Sequence, residues 1–161
     1  MMKTTSLLIS AMLITAYIAS RSTDWSQSFG LSLTSPSSAR LLYFTLHANI
    51  LHVTVNVYAF LTLSFLCRAR MWQMCAAILT AATIPTATLS QVPMVGFSTV
   101  IYAMAGMSIL AASDWRWLAL CNLLLIGAQS FFAGFAVLPH LYCFCTGCII
   151  GFIFTPRYDR R

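Results

Sequence analysis

Long apolar stretches separated by short polar breaks make up almost the whole chain. A helix needs about 17 to 25 predominantly apolar residues to cross the hydrocarbon core of a bilayer. Six stretches approach or exceed that length, and none alternates with period two as barrel strands do. We therefore predict six membrane helices. They run from Thr5 to Ala19, Leu41 to Cys67, Trp72 to Ser90, Phe97 to Ala112, Trp117 to Phe135 and Leu138 to Phe154.

The polar remainder is too short for a separate soluble domain. Its longest segment is residues 20–40, SRSTDWSQSFGLSLTSPSSAR. Backbone polar groups in the bilayer core must be satisfied internally, so long unalternating segments there are helices. Residues 1–161 are predicted to form one all-α integral membrane domain. The second stretch is long, so we expect its first turns to extend beyond the hydrocarbon or to tilt within it.

The composition is typical of an integral membrane protein, and the positions of the basic residues predict the orientation of its helices. Hydrophobic residues make up 60% and charged residues 7% of the chain, and the mean hydropathy is +0.83. With six spans, seven basic residues share one side and only Arg21 and Arg40 lie on the other. The seven are Lys3, Arg68, Arg70, Arg116, Arg157, Arg160 and Arg161. The positive-inside rule then places both termini in the cytoplasm. The net charge of +6 is explained by this asymmetry, so we expect the lipid bilayer and no nucleic acid as a partner.

The first segment is open to two interpretations. MMKTTSLLISAMLITAYIAS has a positive start, a short apolar region and small residues at Ala16 and Ala19. This composition describes a cleavable signal peptide as well as a retained span.

The six cysteines suggest packing more than a metal site or a disulfide. Cys143, Cys145 and Cys148 lie within the last apolar stretch, where residues i and i+2 point to different helix faces. Cys67, Cys75 and Cys121 lie near the cytoplasmic half, where thiols stay reduced. We interpret them as small hydrophobic residues and predict no metal or other cofactor.

The small number of acidic residues and their predicted positions exclude several catalytic mechanisms. Asp24, Asp114 and Asp159 all fall in predicted loops, and the chain has no glutamate. A zinc protease of the H-E-x-x-H type lacks its glutamate base. No two spans can supply the carboxylate pair of an aspartic protease. A proton-coupled transporter usually carries an intramembrane carboxylate, which also weakens that interpretation.

Few polar side chains remain inside the predicted spans. The second helix carries His47, His52 and Asn56, the fourth begins near Ser98, and the sixth begins near His140. Polar groups at this depth are costly unless paired and are functional candidates. The structural alternative is helix–helix hydrogen bonding. For His47 alone we favour that alternative, because it lies at the outer end of its helix.

The second, fourth and sixth helices all run inward from the outer face, so Ser98 and His140 occupy the same outer-leaflet depth and can meet. Residues three or four positions apart lie on the same face of a helix. The fourth helix presents Ser98, Tyr102 and Gly106, and the sixth presents His140, Phe144, Gly147 and Gly151. The glycines Gly106, Gly147 and Gly151 would permit close helix packing.

This arrangement suggests acyl transfer by a Ser-His dyad. Ser98 would be the nucleophile and His140 the base that removes its proton. Tyr102 could stack on the imidazole, and Gly96 would allow the tight turn that exposes the hydroxyl. The candidate oxyanion donors are His52, Asn56 and the backbone N–H of Ser98.

Three blocks together resemble the rhomboid family of intramembrane serine proteases. They are HANILHVTVN (47–56), GFSTVIYAMAG (96–106) and PHLYCFCTGCIIG (139–151). The resemblance implies a six-helix core, a Ser98 nucleophile, a His140 base and an oxyanion hole that includes His52 and Asn56. It also implies cleavage of single-span membrane proteins, often after a small residue where the substrate helix unwinds readily. It favours retention of the first segment as a helix, in a multi-pass protein of the bacterial plasma (inner) membrane.

The chain departs from the family pattern at three positions. Thr99 and Cys143 stand where the family usually has glycine, and the usual tryptophan-arginine pair of the first loop is Ala39-Arg40. Trp25 could substitute in part for that pair as an interface anchor. The departures keep open a catalytically inactive rhomboid-like protein that binds membrane helices. A haem-binding carrier with His52 and His140 as axial ligands is a further alternative.

Overall fold

A computed structural model of the chain describes residues 2–21, 25–66, 70–109, 112, 114–131 and 136–154. This part of the chain is all-helical apart from one isolated β-bridge, which confirms the predicted all-α class. Its α-helices are α1 (Met2–Ser20), α2 (Ser26–Phe29), α3 (Ala39–Leu42), α4 (Ile50–Leu66), α5 (Met71–Ala82), α6 (Ser98–Ile109), α7 (Trp115–Ala128) and α8 (Val137–Phe154). Short 3₁₀ turns lie at Tyr43–Thr45, Thr86–Thr88 and Gln129–Phe131.

Two of the described helices are long and apolar enough to cross a membrane. They are Lys3–Ser20 within α1 and Val137–Phe154, which is α8. The pair Ala39–Thr45 and Ile50–Phe65 passes the same test together, but its halves meet at 93°. Helices α5 and α6 are apolar and have 12 residues each. At about 1.5 Å per residue, each is roughly 18 Å long, which is shorter than a hydrocarbon core of about 30 Å.

The second predicted helix is not continuous, which corrects the expectation of one long span. The chain bends between Thr45 and Ile50, so His47 precedes α4 and does not lie within a helix. A new helix begins here because Asn49 acts as its cap: the Asn49 side-chain oxygen accepts a hydrogen bond from the backbone N–H of His52 at 2.9 Å.

The third predicted helix also ends earlier than expected, at Ala82 and not at Ser90. Pro85 follows three residues later, and proline cannot continue a helix hydrogen-bond ladder. The guanidinium of Arg40 donates to the carbonyl oxygens of Ala82 at 3.3 Å and Ile84 at 2.6 Å. Arg40 thereby satisfies carbonyl groups that the end of α5 leaves without helical partners.

Helix α6 is the centre of the described bundle. Every residue from Thr99 to Ile109 is buried, as expected for a helix that is apolar on all sides and surrounded by others. It contacts α4, α5, α7 and α8, and its contact with α8 is the most extensive among the described elements. Helix α1 packs on the other side of α4, where Leu13 is fully buried.

Three glycines bring the backbones of α6 and α8 into direct contact. A Cβ on Gly106 would overlap the carbonyl oxygen of Phe144, and a Cβ on Gly147 would overlap that of Ala103. A Cβ on Gly151 would lie 2.6 Å from the carbonyl oxygen of Met107. Only glycine therefore permits this separation of the two helices.

Several residues used in the sequence analysis lie outside the described residues. They are Asp24, Cys67, Arg68, Phe135, Arg157, Asp159, Arg160 and Arg161.

Candidate functional site

The turn that precedes α6 is held by backbone hydrogen bonds to the segment before α4. Gly96 has a φ of +123°, a conformation that residues with a Cβ rarely adopt. Its N–H donates to the carbonyl of Tyr43 at 3.0 Å, and Met94 and Leu31 exchange two bonds of 2.9 Å. These bonds fix the direction in which the chain enters α6.

Phe97 anchors the same turn in the core. Its side chain is 2% exposed and makes edge-to-face contacts with Phe44 and Phe60, at centroid distances of 6.3 and 5.2 Å. Such pairs add about 0.5–1.5 kcal/mol to the burial itself. With Gly96 on one side and Phe97 packed in the core, Ser98 becomes the first residue of α6.

Ser98 and His140 are in hydrogen-bond contact although 42 residues separate them. The Ser98 Oγ lies 2.8 Å from the Nε2 of His140, which is in the first turn of α8 and 5% exposed. The structure thus brings together the two residues that were expected to meet. A serine hydroxyl in this position can pass its proton to the imidazole as its oxygen attacks an electrophile.

Tyr102 lies one turn below Ser98 and packs against the imidazole of His140. The ring centroids are 4.9 Å apart and the planes are tilted by 43°. The contact limits rotation of the imidazole, which agrees with the stacking expected from the spacing of Ser98 and Tyr102.

Gln129 also contacts His140, a contact that was not predicted from the sequence. Its Oε1 lies 2.6 Å from the Nδ1 of His140, and its Nε2 donates to the hydroxyl of Tyr102 at 2.7 Å. Gln129 begins the 3₁₀ turn after α7, within a stretch that was predicted to be a simple span. The available signal was an amide side chain in an apolar run, the same signal that singled out Asn56.

His52 and Asn56 line the other side of the Gly96 turn. A Cβ on Gly96 would lie 2.6 Å from the ring of His52 and 3.4 Å from the Nδ2 of Asn56. Asn56 is 4% exposed, and its Nδ2 has no hydrogen-bond partner among the described groups. The absence of a side chain at residue 96 therefore leaves amide and imidazole groups beside the turn that presents Ser98.

His47 contacts the ring of His52. The two centroids are 5.2 Å apart at 73°, an edge-to-face arrangement. His47 is buried, and apart from the backbone of Thr45 its ring nitrogens meet no partner among the described groups. The helix–helix hydrogen bond favoured for His47 from the sequence is therefore not found within the described residues.

Thr99 and Cys143, the two departures from glycine, are both accommodated in the interior. The Thr99 hydroxyl lies 2.8 Å from that of Tyr43, whose O–H donates to the carbonyl of Ala81 at 3.1 Å. Thr99 therefore donates to the oxygen of Tyr43. Cys143 is fully buried in the core cluster. Neither substitution prevents the contact between Ser98 and His140.

Comparison of the chain with protein-family models finds no matching family, and comparison with curated proteins finds no matching relative.

Proposed function

We propose that this protein is an intramembrane serine endopeptidase of the rhomboid type, with a Ser98–His140 dyad. The observation that carries the proposal is the 2.8 Å contact between Ser98 Oγ and His140 Nε2 at two helix beginnings. The three sequence blocks that resemble the rhomboid family support it independently. Both arguments use residues that an inert membrane bundle would not need in this arrangement.

In the first step, the Ser98 oxygen attacks the carbonyl carbon of a substrate peptide bond while His140 Nε2 takes the hydroxyl proton. The carbonyl oxygen becomes an oxyanion, and the N–H groups of Ser98, Asn56 and His52 are the proposed donors to it. His140 then gives its proton to the leaving amine as the C–N bond breaks. This leaves the acyl group of the substrate esterified to Ser98.

In the second step, water replaces the amine and the same groups act again. His140 removes a proton from the water, whose oxygen attacks the ester carbonyl. The proton returns to the Ser98 oxygen as the ester bond breaks. A carboxylic acid is released, and the dyad is restored without any cofactor.

The proposed substrates are single-span membrane proteins, cleaved in or beside the bilayer. The candidate spans of the described residues support a membrane location, and the length of α8 suits a full crossing. A six-helix, multi-pass arrangement with both termini cytoplasmic in a bacterial inner membrane belongs to the same proposal. It rests on the resemblance and on the basic residues of the loops.

The main alternative is an inactive protein of the same architecture that binds membrane helices. This alternative is suggested by Thr99 and Cys143, which carry side chains where the rhomboid family usually has glycine. Thr99 donates to Tyr43 and so has a structural role of its own, which weakens that motivation. The haem alternative is weaker still, because both ring nitrogens of His140 make hydrogen bonds to side chains.

Labelling with a fluorophosphonate distinguishes these alternatives. The reagent reacts with activated serines, so we expect it to label the folded protein in detergent but not Ser98→Ala. Ser108→Ala is the matched control, because Ser108 lies on the same helix and its buried hydroxyl has no partner among the described groups. Equal labelling of wild type and Ser98→Ala, or none of either, would contradict the proposal and favour helix binding.

Cleavage is tested with purified protein and a panel of single-span model substrates that differ in the residues before the cleaved bond. We expect wild type and Ser108→Ala to cut the same substrates and Ser98→Ala to cut none. Retention of uncut substrates by the wild type on a pull-down would instead indicate a binding protein.

A further inference from the structure

Four side chains form one continuous hydrogen-bonded series in the site. From Tyr102, the series passes through the amide of Gln129 to the imidazole of His140 and ends at the hydroxyl of Ser98. The three steps measure 2.7, 2.6 and 2.8 Å. Three helical elements contribute to it: α6, the turn after α7, and α8.

The direction of the series decides whether His140 can act as a base. If Gln129 Oε1 faces Nδ1, that nitrogen carries the proton and donates, and Nε2 keeps its lone pair for the Ser98 hydroxyl. If the amide is reversed, Nδ1 accepts, Nε2 carries the proton, and His140 cannot take one from Ser98. The amide Nε2 is directed at Tyr102, which leaves Oε1 for His140.

We propose that Gln129 is a positioning residue that fixes His140 as the Nδ1-protonated tautomer through the Oε1–Nδ1 hydrogen bond. Its effect on rate rests on the proposed function, whereas its effect on the tautomer does not. Tyr102 has two roles in this arrangement. Its ring packs on His140, and its hydroxyl oxygen accepts from the Gln129 amide and so holds the amide in the required orientation.

An amide suits this position better than the aspartate of a serine-protease triad. A carboxylate beside His140 would bring a formal charge into a site whose serine, histidine and tyrosine are neutral groups. Gln129 is partly buried, and a carboxylate there would lose part of its hydration, whereas a neutral amide selects the tautomer without that loss. Gln129 thus supplies the orientation that an aspartate supplies in a serine-protease triad.

The tautomer is read directly by nitrogen NMR of protein labelled with ¹⁵N-histidine. The chain has three histidines, and the signals lost in His140→Gln identify those of His140. We expect a protonated Nδ1 and an unprotonated Nε2 in the wild type, and a mixture of tautomers in Gln129→Met. A protonated Nε2 in the wild type, or an unchanged spectrum in Gln129→Met, would overturn the proposal.

The rate of substrate cleavage gives a second test of the role proposed for Gln129. Gln129→Met removes the bonds to both His140 and Tyr102. We expect loss of the bond to His140 to lower kcat by about 10-fold with little change in KM, because that bond acts on His140 and not on substrate. In Gln129→Glu the carboxylate can accept from Nδ1 as the amide does, so we expect kcat to recover relative to Gln129→Met, while the introduced charge lowers the midpoint of thermal unfolding. Asn122→Leu is the matched control, because within the described residues this amide of α7 donates to the carbonyl of Leu118 in its own helix and to no group of the site.

The two proposals fail separately. Protein that shows the Gln129-dependent tautomer yet neither labels nor cleaves would support the positioning role and contradict hydrolysis. Protein that cleaves with equal kcat in wild type and Gln129→Met would support hydrolysis and contradict the positioning role.

Discussion

The two sides of the site differ in how their polar groups are satisfied. On the α8 side, Ser98, His140, Gln129 and Tyr102 are all joined by hydrogen bonds. On the α4 side, the Nδ2 of Asn56 has no partner among the described groups. The described site therefore has a bonded side and an unbonded side, which meet at the Gly96–Ser98 turn.

The difference has a physical meaning under the proposed reaction. A base must be oriented before substrate binds, so its hydrogen bonds are made in the resting protein. An oxyanion donor gains from the opposite condition, because a donor already paired would have to break a bond before it could stabilise developing charge. A buried donor left unpaired costs about 1–3 kcal/mol in stability, and Asn56 is a candidate for such a cost.

The largest expected effect lies on the bonded side. His140→Ala removes the group that accepts the Ser98 proton, and we expect cleavage to fall by about 10⁴-fold or more, as for other nucleophile–base pairs. The measurement is the initial rate on a cleaved model substrate. Ser108→Ala is again the control, since Ser108 is buried on α6 and is not among the proposed reacting groups. A nearly normal rate in His140→Ala would remove the base assignment.

The second prediction concerns the α4 side, where one substitution should change activity and stability in different directions. Asn56→Ala removes a proposed oxyanion donor and lowers kcat by about 10²-fold. Its midpoint of thermal unfolding in detergent should stay the same or rise, because an unpaired buried amide is lost. An unchanged kcat together with a lower midpoint would identify Asn56 as a structural residue.

A third prediction concerns the glycines that set the distance between α6 and α8, the two helices that carry Ser98 and His140. Gly147→Ala forces α8 away from the carbonyl of Ala103, and we expect a loss of about 1–3 kcal/mol in the free energy of unfolding. Gly127→Ala is the control, since a Cβ there meets nothing within 4 Å and alanine favours the helix by about 0.5–1 kcal/mol. Equal effects of the two substitutions would argue against close packing as the role of Gly147.

The smallest effect tests whether the residue after the nucleophile is structural. Thr99→Val keeps the shape of the side chain but removes its bond to Tyr43, which lowers the free energy of unfolding by about 1 kcal/mol. The cleavage rate should change little, since the Thr99 hydroxyl is directed to Tyr43 and not to His140. A rate loss larger than that of Asn56→Ala would show that Thr99 belongs to the reacting groups.

The contact between Ser98 and His140 could be predicted because it depends on topology. Two helices that pack side by side and run in the same direction, as α6 and α8 do, bring their first turns to one level, whatever their exact lengths. The stacking of Tyr102 followed from helical periodicity for the same reason. These relations survive errors of several residues in helix boundaries, such as the early end of α5 at Ala82.

The bend before α4 and the role of Gln129 could not be predicted in this way. A hydropathy pattern does not distinguish one straight helix from two apolar segments joined by a bend. The local signal for the bend is the cap at Asn49, which depends on a single side-chain hydrogen bond. Gln129 follows the end of α7, and its partners Tyr102 and His140 lie on other elements. Only the packing of those elements shows that its amide reaches the imidazole.

The bend before α4 affects the electrostatic potential at the site. Because α4 starts at Ile50, His52 and Asn56 fall in its first two turns, just as Ser98 and His140 fall in the first turns of α6 and α8. The amino-terminal end of a helix carries about half a positive charge from its aligned peptide dipoles. Three such ends meet around Gly96. Uncharged main chain can thereby favour an anion there at any pH, and no ionisable side chain is needed to do so.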